Sequence, residues 1–255
     1  MKHHRLFLVT LLTIIAVTTL MAQEPYAALS SDSTILTFYY DNNRVSHSTT
    51  FDVPWKNTRP EWTYVSDITT IDFHDSFAGY DGLTTARLMF YGMEKLTTIN
   101  HLSRLNTANI TDMSGMFCNC KSLTSLDLSN FNTANVTNMG DMFYDCEALT
   151  TLDVSSFNTS KVTNMGDMFS WCLSLTSLDL SNFDTTNVTY MGWMFYNCSE
   201  LSSINLSSFN TTNVKNMYNM FNECSKLKVL NQPSSNTANV KDIILYWNNL
   251  TPFSP

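Results

Sequence analysis

The side chains in this chain that could do chemistry are sulfurs and carboxylates repeated at one interval. Cys120, Cys146, Cys172, Cys198 and Cys224 stand 26 residues apart, and Cys118 falls outside that count. Six cysteines in an exported protein could make three disulfides. Two methionine columns, Met113 and Met116 through Met217 and Met220, could offer thioether sulfur to a soft metal such as copper(I). Asp127, Asp153, Asp179 and then Asn205 keep the same interval, flanked by Ser125, Thr151, Ser177 and Ser203. Such a column could hold a basic partner or calcium. His47, His74 and His101 are scattered, without the H-x-x-x-H or H-E-x-x-H spacing of a metal helix. No serine sits in G-x-S-x-G and no phosphate-cradling glycine loop is present. The expectation is a protein that is not an enzyme and carries no cofactor.

The interval belongs to a repeat. Phe131–Ser156, Phe157–Asn182, Phe183–Ser208 and the stretch from Phe209 align without gaps, and Leu105–Asn130 joins the register. Their shared text is F-N-T-x-N-V-T-N-M-x-x-M-F-x-x-C-x-x-L-T-S-L-D-L-S. A diverged copy precedes them, where Met89-Phe90-Tyr91 matches Met142-Phe143-Tyr144, and Ile68–Phe73 resembles half of a still earlier one. Within one copy Val136, Met139, Met142, Phe143, Cys146 and Leu149 follow the spacing of a helix face, with a period near 3.6. Leu149, Leu152 and Val154 then shift to the period of two that marks a short strand. Asn132, Thr133 and Asn135 read as turn and N-cap residues. The reading is an α/β solenoid of strand–turn–helix units, right-handed, on the leucine-rich repeat plan. One copy cannot bury its own apolar face, so stability requires several stacked copies.

Composition narrows the function. Charged residues are 14% of the chain and apolar residues 44%, which argues against a long disordered chain. The net charge is −8, with no Lys/Arg cluster to displace phosphate counterions, so nucleic acid is not the expected partner. Residues 1–22 read as a secretory signal: Lys2, His3, His4 and Arg5 precede an apolar run from Leu6 to Leu20, and Ala22 suits a cleavage site. Its removal leaves 12 Lys/Arg against 22 Asp/Glu, a charge of −10. The run is short for a bilayer span. The expected domains are the signal at 1–22, a β-rich cap at 23–65 and a solenoid at 66–251. Within the solenoid, 66–104 are diverged copies, 105–234 regular copies and 235–251 a terminal cap, where Val240, Ile243, Tyr246, Trp247 and Leu250 keep apolar slots.

The repeat text resembles that of the BspA-like leucine-rich repeat surface proteins, known mainly from Bacteroidetes and related host-associated bacteria. The leader Tyr26–Ser30 with Thr37–Asp41, and Ser76-Phe77-Ala78 followed by Met89–Met93, are similar to what precedes such repeats. The resemblance covers about residues 25–250. It implies an extracytoplasmic solenoid and, for some members, adhesion to host matrix proteins or other bacteria. It supplies no defined binding residue.

These readings weigh the candidate sites. Stacked helices lie about 8–10 Å apart, beyond disulfide reach, so the cysteine ladder reads as buried thiols. Cys118, on another helical face, reads as an exposed thiol. The methionines fall at core spacing and read as packing. With Leu152 and Val154 inward, Thr151, Asp153 and Ser155 face outward on the strand side. There in-register strands would space the carboxylates roughly 5 Å apart. The column is a solvated ladder, a partner strip on a concave strand face, or a calcium ladder. Trp171 and Trp193 occupy slots otherwise held by Asp, Asn, Gly or Glu and are alternative hot spots for a partner. The N-x-S/T triplets, such as Asn135-Val136-Thr137, follow from the repeat text. The expected function is non-enzymatic binding of a surface or extracellular protein by a secreted or cell-surface chain, with an envelope scaffold as the alternative.

Overall fold

A computed structural model of the chain describes residues 22–53 and 59–231. All of the signal but Ala22, and the terminal cap at 235–251, lie outside the described residues. Strands β1 (Glu24–Leu29), β2 (Ile35–Asp41) and β3 (Thr50–Asp52) open the chain. Strand β4 (Thr70–Phe73) and strand β5 (Thr98–Asn100) follow. Together they form one sheet in the order β3-β1-β2-β4-β5, antiparallel at the start and parallel from β2 to β5. The alternation of β2 turns Leu36 and Phe38 inward, and that of β4 turns in Ile71 and Phe73. Phe38 stacks on Phe73 at 4.9 Å, and the buried Trp62 packs edge-on to Phe38. The Trp62 indole N–H donates to the Met89 carbonyl at 2.8 Å, which ties this end to the first coil.

From there the chain winds in coils of 26 residues. The half of each copy with helical spacing is not a helix: no α-helix occurs among the described residues. It is a run of tight turns. In the copy at 131–156, the amides of Met142, Tyr144 and Cys146 donate to the carbonyls three residues back. The intervening amides of Met139, Asp141, Phe143 and Asp145 donate instead to Asn164, Gly166, Met168 and Ser170 in the next coil, at 2.8–3.0 Å. The same four bonds recur at each of five coil junctions, from residue 86 to residue 222. Asp141 and Asp145 have φ of 58°, and the positive φ returns at Gly115, Asn119, Asp167, Trp171, Trp193, Asn197, Asn219 and Glu223. A left-handed residue at the third place of a four-residue turn is the type II pattern. Two such turns in succession put apolar residues at i, i+3, i+4 and i+7, the same spacing an α-helix gives. The apolar pattern alone does not separate them.

The turns expose a second error in the helical expectation. Adjacent coils are closer than packed helices: the rings of Phe117, Phe143, Phe169, Phe195 and Phe221 stack at 5.3–5.7 Å. Distance therefore does not keep the cysteines apart. All six are free and buried. The five ladder thiols each donate to a phenylalanine carbonyl of the preceding coil, Cys146 to Phe117 for example, at 2.9–3.3 Å. Cys118, expected to be exposed, is 6% exposed: it shares a column with Tyr91 and Tyr144, and its backbone sits in the turn ladder. The methionine columns, Met113 through Met220, are core.

Polar ladders finish the coil. The Asn132, Asn158 and Asn210 side chains accept from the amide two residues on, so they cap turns rather than helices. Buried Thr133, Thr159 and Thr185 donate to a carbonyl of the next coil at 2.9–3.0 Å. The strand side is less regular. Strands β6 (Ser177–Asp179), β7 (Ser203–Asn205) and β8 (Val229–Asn231) form a second, parallel sheet. The corresponding residues of the two coils before it, 125–127 and 151–153, belong to neither sheet.

Candidate binding face

The outward column starts from a local motif. In each L-D-L-S step the Asp side chain turns back on its own backbone. One Asp127 oxygen accepts from the Ser129 amide at 3.0 Å and from its hydroxyl at 2.7 Å. Asp153 accepts from the Ser155 amide and Asp179 from the Ser181 amide, both at 2.9 Å; Asn205 does the same with Ser207 at 3.1 Å. These bonds fix each carboxylate over its turn. They also hold the carboxyls of Asp127, Asp153 and Asp179 below the usual range, through hydrogen bonds from Ser129, Ser155 and Ser181. The column is ionised and oriented before any partner arrives.

The break in the strand ladder shapes this face. One cleft of about 420 Å³ opens between β5 and the coil at 125–130, and its walls include Thr98, His101, Ser125 and Asp127. Another of about 530 Å³ opens between that coil, 151–155 and β6, bordered by Thr151, Asp153, Ser177 and Asp179. Leu126 lines both and is only partly buried, although its repeat partner Leu178 is 4% exposed. His101, which sequence reasoning set aside, has a left-handed backbone and meets Asp72 through Nδ1 at 2.8 Å.

The structure thus gathers Ser125, Asp127, Thr151, Asp153, Ser177 and Asp179 on two neighbouring clefts. Ser203 and Asn205 lie apart, in the intact sheet, with Asp179 opposite Asn205. The carboxylates are not one continuous strand ladder, because two of the three lie outside the sheets. No group of three His, Cys, Asp or Glu side chains able to hold a metal occurs among the described residues.

Trp171 and Trp193 lie on the other side, in the left-handed slots of the turn ladder (φ 62° and 55°). Trp171 is 37% exposed. Their rings meet Tyr196 at 6.1 Å and Tyr218 at 5.3 Å. The carboxylates nearest this pair behave unlike those of the strand face. Burial, then the negative Asp141 beside it, pushes Asp167 up to about 6, against the Ser170 hydroxyl; burial also raises Asp141. The signal for these slots was visible: Gly, Asn or Asp fills most of them, and those residues tolerate φ > 0.

Stacked 26-residue coils with a capped apolar end define a repeat solenoid, a class in which each coil contacts its neighbours and the side surface is free to bind. The chain belongs to the DUF285 family, described as a Mycoplasma protein of unknown function; the family profile matches residues 84–178 and again 148–254. Among solved structures, a leucine-rich repeat protein of T. pallidum is 17% identical, over 89% of this chain and 92% of that one, with a TM-score of 0.35. A leucine-rich repeat protein from Bacteroides ovatus is 15% identical over 82% and 70%, with a TM-score of 0.34. A leucine rich cell surface protein from Faecalibacterium prausnitzii is 14% identical over 91% and 97%, with a TM-score of 0.23. No curated protein matches the chain.

Proposed function

We propose that this chain is a non-enzymatic, extracytoplasmic binding protein whose strand face holds a protein ligand, with adhesion to host matrix or microbial surface proteins as its role. The observation that carries the reading is the pair of clefts along one face, bordered by Asp127, Asp153 and Asp179 with each carboxylate already fixed by its own turn. Short Asp, Ser and Thr side chains lose little rotamer freedom on docking. An acidic face on a chain of net charge −8 favours a basic patch and repels acidic surfaces. Export through residues 1–22 would carry the protein out of the cytoplasm, to the cell surface or the medium, with retention in the periplasm as the alternative. No helix of the described residues is long and apolar enough to cross a membrane.

Two measurements test this. Protease shaving and fractionation of the producing cell should find the chain surface-exposed or secreted; a purely periplasmic pool supports the scaffold instead. Proteins captured by the purified chain should bind the Asp127→Ala, Asp153→Ala, Asp179→Ala triple variant at least tenfold more weakly at low salt. The difference should shrink as salt screens the charges. Unchanged affinity and salt dependence would move the site to Trp171 and Trp193.

A further inference from the structure

Within the regular copies four aromatic residues break the repeat text, and all four lie on the turn side of three adjacent coils. Tyr190 stands where other copies carry Asn138, Asn164 and Asn216, and Tyr218 stands in the column of Gly140, Gly166 and Gly192. Trp171 shares its slot with Asn119, Asp145 and Asn197, and Trp193 shares one with Asp141, Asp167 and Asn219. With Tyr196 they make one patch: the Trp171 ring meets Tyr196 at 6.1 Å, and the Trp193 ring meets Tyr218 at 5.3 Å. Tyr190 rests on the bare backbone of Gly166, where a Cβ would collide with its ring. The patch is open to solvent. Trp171 is 37% and Tyr218 50% exposed, and Tyr190, Trp193 and Tyr196 are half-buried. It is also kept against strain: both tryptophans hold φ > 0, which bulky side chains rarely adopt and which Asn or Gly holds at less cost. Backbone strain of this kind collects at ligand sites.

We propose that this patch binds a neutral glycan, an extended chain of equatorially substituted hexopyranoses whose C–H faces lie on the rings. It is a second site, independent of the strand face and of any protein held there. The chemistry selects the ligand. Trp and Tyr rings are electron-rich on their faces, and the axial C–H groups of such a sugar present partial positive charge on an apolar surface. Asn197, Asn219 and Asn222 stand in the adjoining places of the same coils, half-buried, with amides that can both donate to and accept from hydroxyls. In these five columns of the three coils only Asp167 and Glu223 carry charge, on a chain of net charge −8. An uncharged partner suits an uncharged patch. An organic cation needs rings splayed around a gap, whereas these pairs touch, tilted at 59° and 77°.

The test is calorimetric titration of the full protein with cellohexaose, which is extended and equatorially linked, and with maltohexaose, its curled isomer. Cellohexaose should saturate at or below millimolar concentration and bind about tenfold more tightly than maltohexaose. Raising salt from about 0.02 to about 0.5 M should change that affinity less than about twofold, because no charge pair is screened. The Trp171→Asn, Trp193→Asn double variant should abolish the binding, and Tyr218→Gly should weaken it. Each change installs a residue that other coils already hold at that place, so the fold should survive. The Asp127→Ala, Asp153→Ala, Asp179→Ala variant should bind the sugar like the native chain, which keeps this proposal and the strand-face reading separately testable. Failure of cellohexaose to bind overturns the proposal. Equal binding of maltohexaose, or binding that survives both aromatic changes, does so too. If cellohexaose does not bind and the aromatic variants instead dissociate a dimer or release a captured protein, the patch is a contact between copies or a protein site.

Discussion

At the scale of single residues, the left-handed slots separate a helix from a chain of turns. Glu223 is exposed with φ 65°. In an α-helix, Glu→Gly costs about 1 kcal/mol. In a left-handed slot the same change removes about 1–2 kcal/mol of backbone strain, against about 0.4–1 kcal/mol of added unfolded-state freedom. Glu223→Gly should thus raise the melting temperature slightly, and a drop of several degrees would restore the helix. The thiols give a second test. Burial raises Cys118 and Cys172 to about 12 and pushes Cys146 well above its ordinary range. The thiolate needed for exchange is scarce at neutral pH. A thiol reagent at pH 8 should leave the native protein unlabelled and label all six cysteines after denaturation without reductant. Fewer than six would reveal disulfides.

At the scale of the element, the coil is held by the core under the turns and by the axial bonds of the turns themselves. Met142 is fully buried between Met116 and Met168 of the adjacent coils. Met142→Asp should cost at least about 3 kcal/mol, because a charge in that layer has no partner. An unchanged melting curve would show that the apolar phase is wrong. This phase was legible in the sequence: Met139, Met142, Phe143, Cys146, Leu149, Leu152 and Val154 all face inward as the spacing implies. The backbone beneath it was not, since four-residue turns imitate a 3.6-residue period. The Asp, Asn and Gly of the slots held the missing information. Likewise the octapeptide at 124–131, in neither sheet, could not announce that it would differ from its identical copy at 176–183, which supplies β6. The outward positions of Asp127, Asp153 and Asp179 followed from alternation alone. The clefts did not, being a property of the stack.

At the scale of the whole molecule, charge and burial oppose each other on the two faces. Asp167 has its folded pKa raised to about 6, above an unfolded value near 3.8. The unfolded chain therefore releases this proton more readily, and the resulting penalty is full above pH 6 and relieved as pH falls toward 4. Asp167 is partly open to solvent, which reduces the effect. Asp127, Asp153 and Asp179 are lowered, so their contribution is lost only as pH drops below about 3.8. The melting temperature should rise by a few degrees from pH 7.5 to pH 5 and fall below pH 4. Asp167→Asn should flatten the rise, and a rise of the same size in that variant would assign it elsewhere.

The axial bonds of the turns have one more consequence. At every junction four amides point toward the later coil and four carbonyls toward the earlier one, against a smaller number that point back: Thr111, Thr137, Thr163, Thr189 and Lys215 at one site of each coil, and Ala148, Thr150, Ser174, Ser202 and Lys228 beside the strands. Peptide units so aligned carry a moment of about 3.5 D each. Summed along the stack they make the solenoid an electrical rod, with its negative pole at the coil near residue 86 and its positive pole at the coil near residue 222. That polarity is the reverse of an α-helix, whose N-terminal end is positive. An anion beside the last turns is thereby favoured over one beside the first.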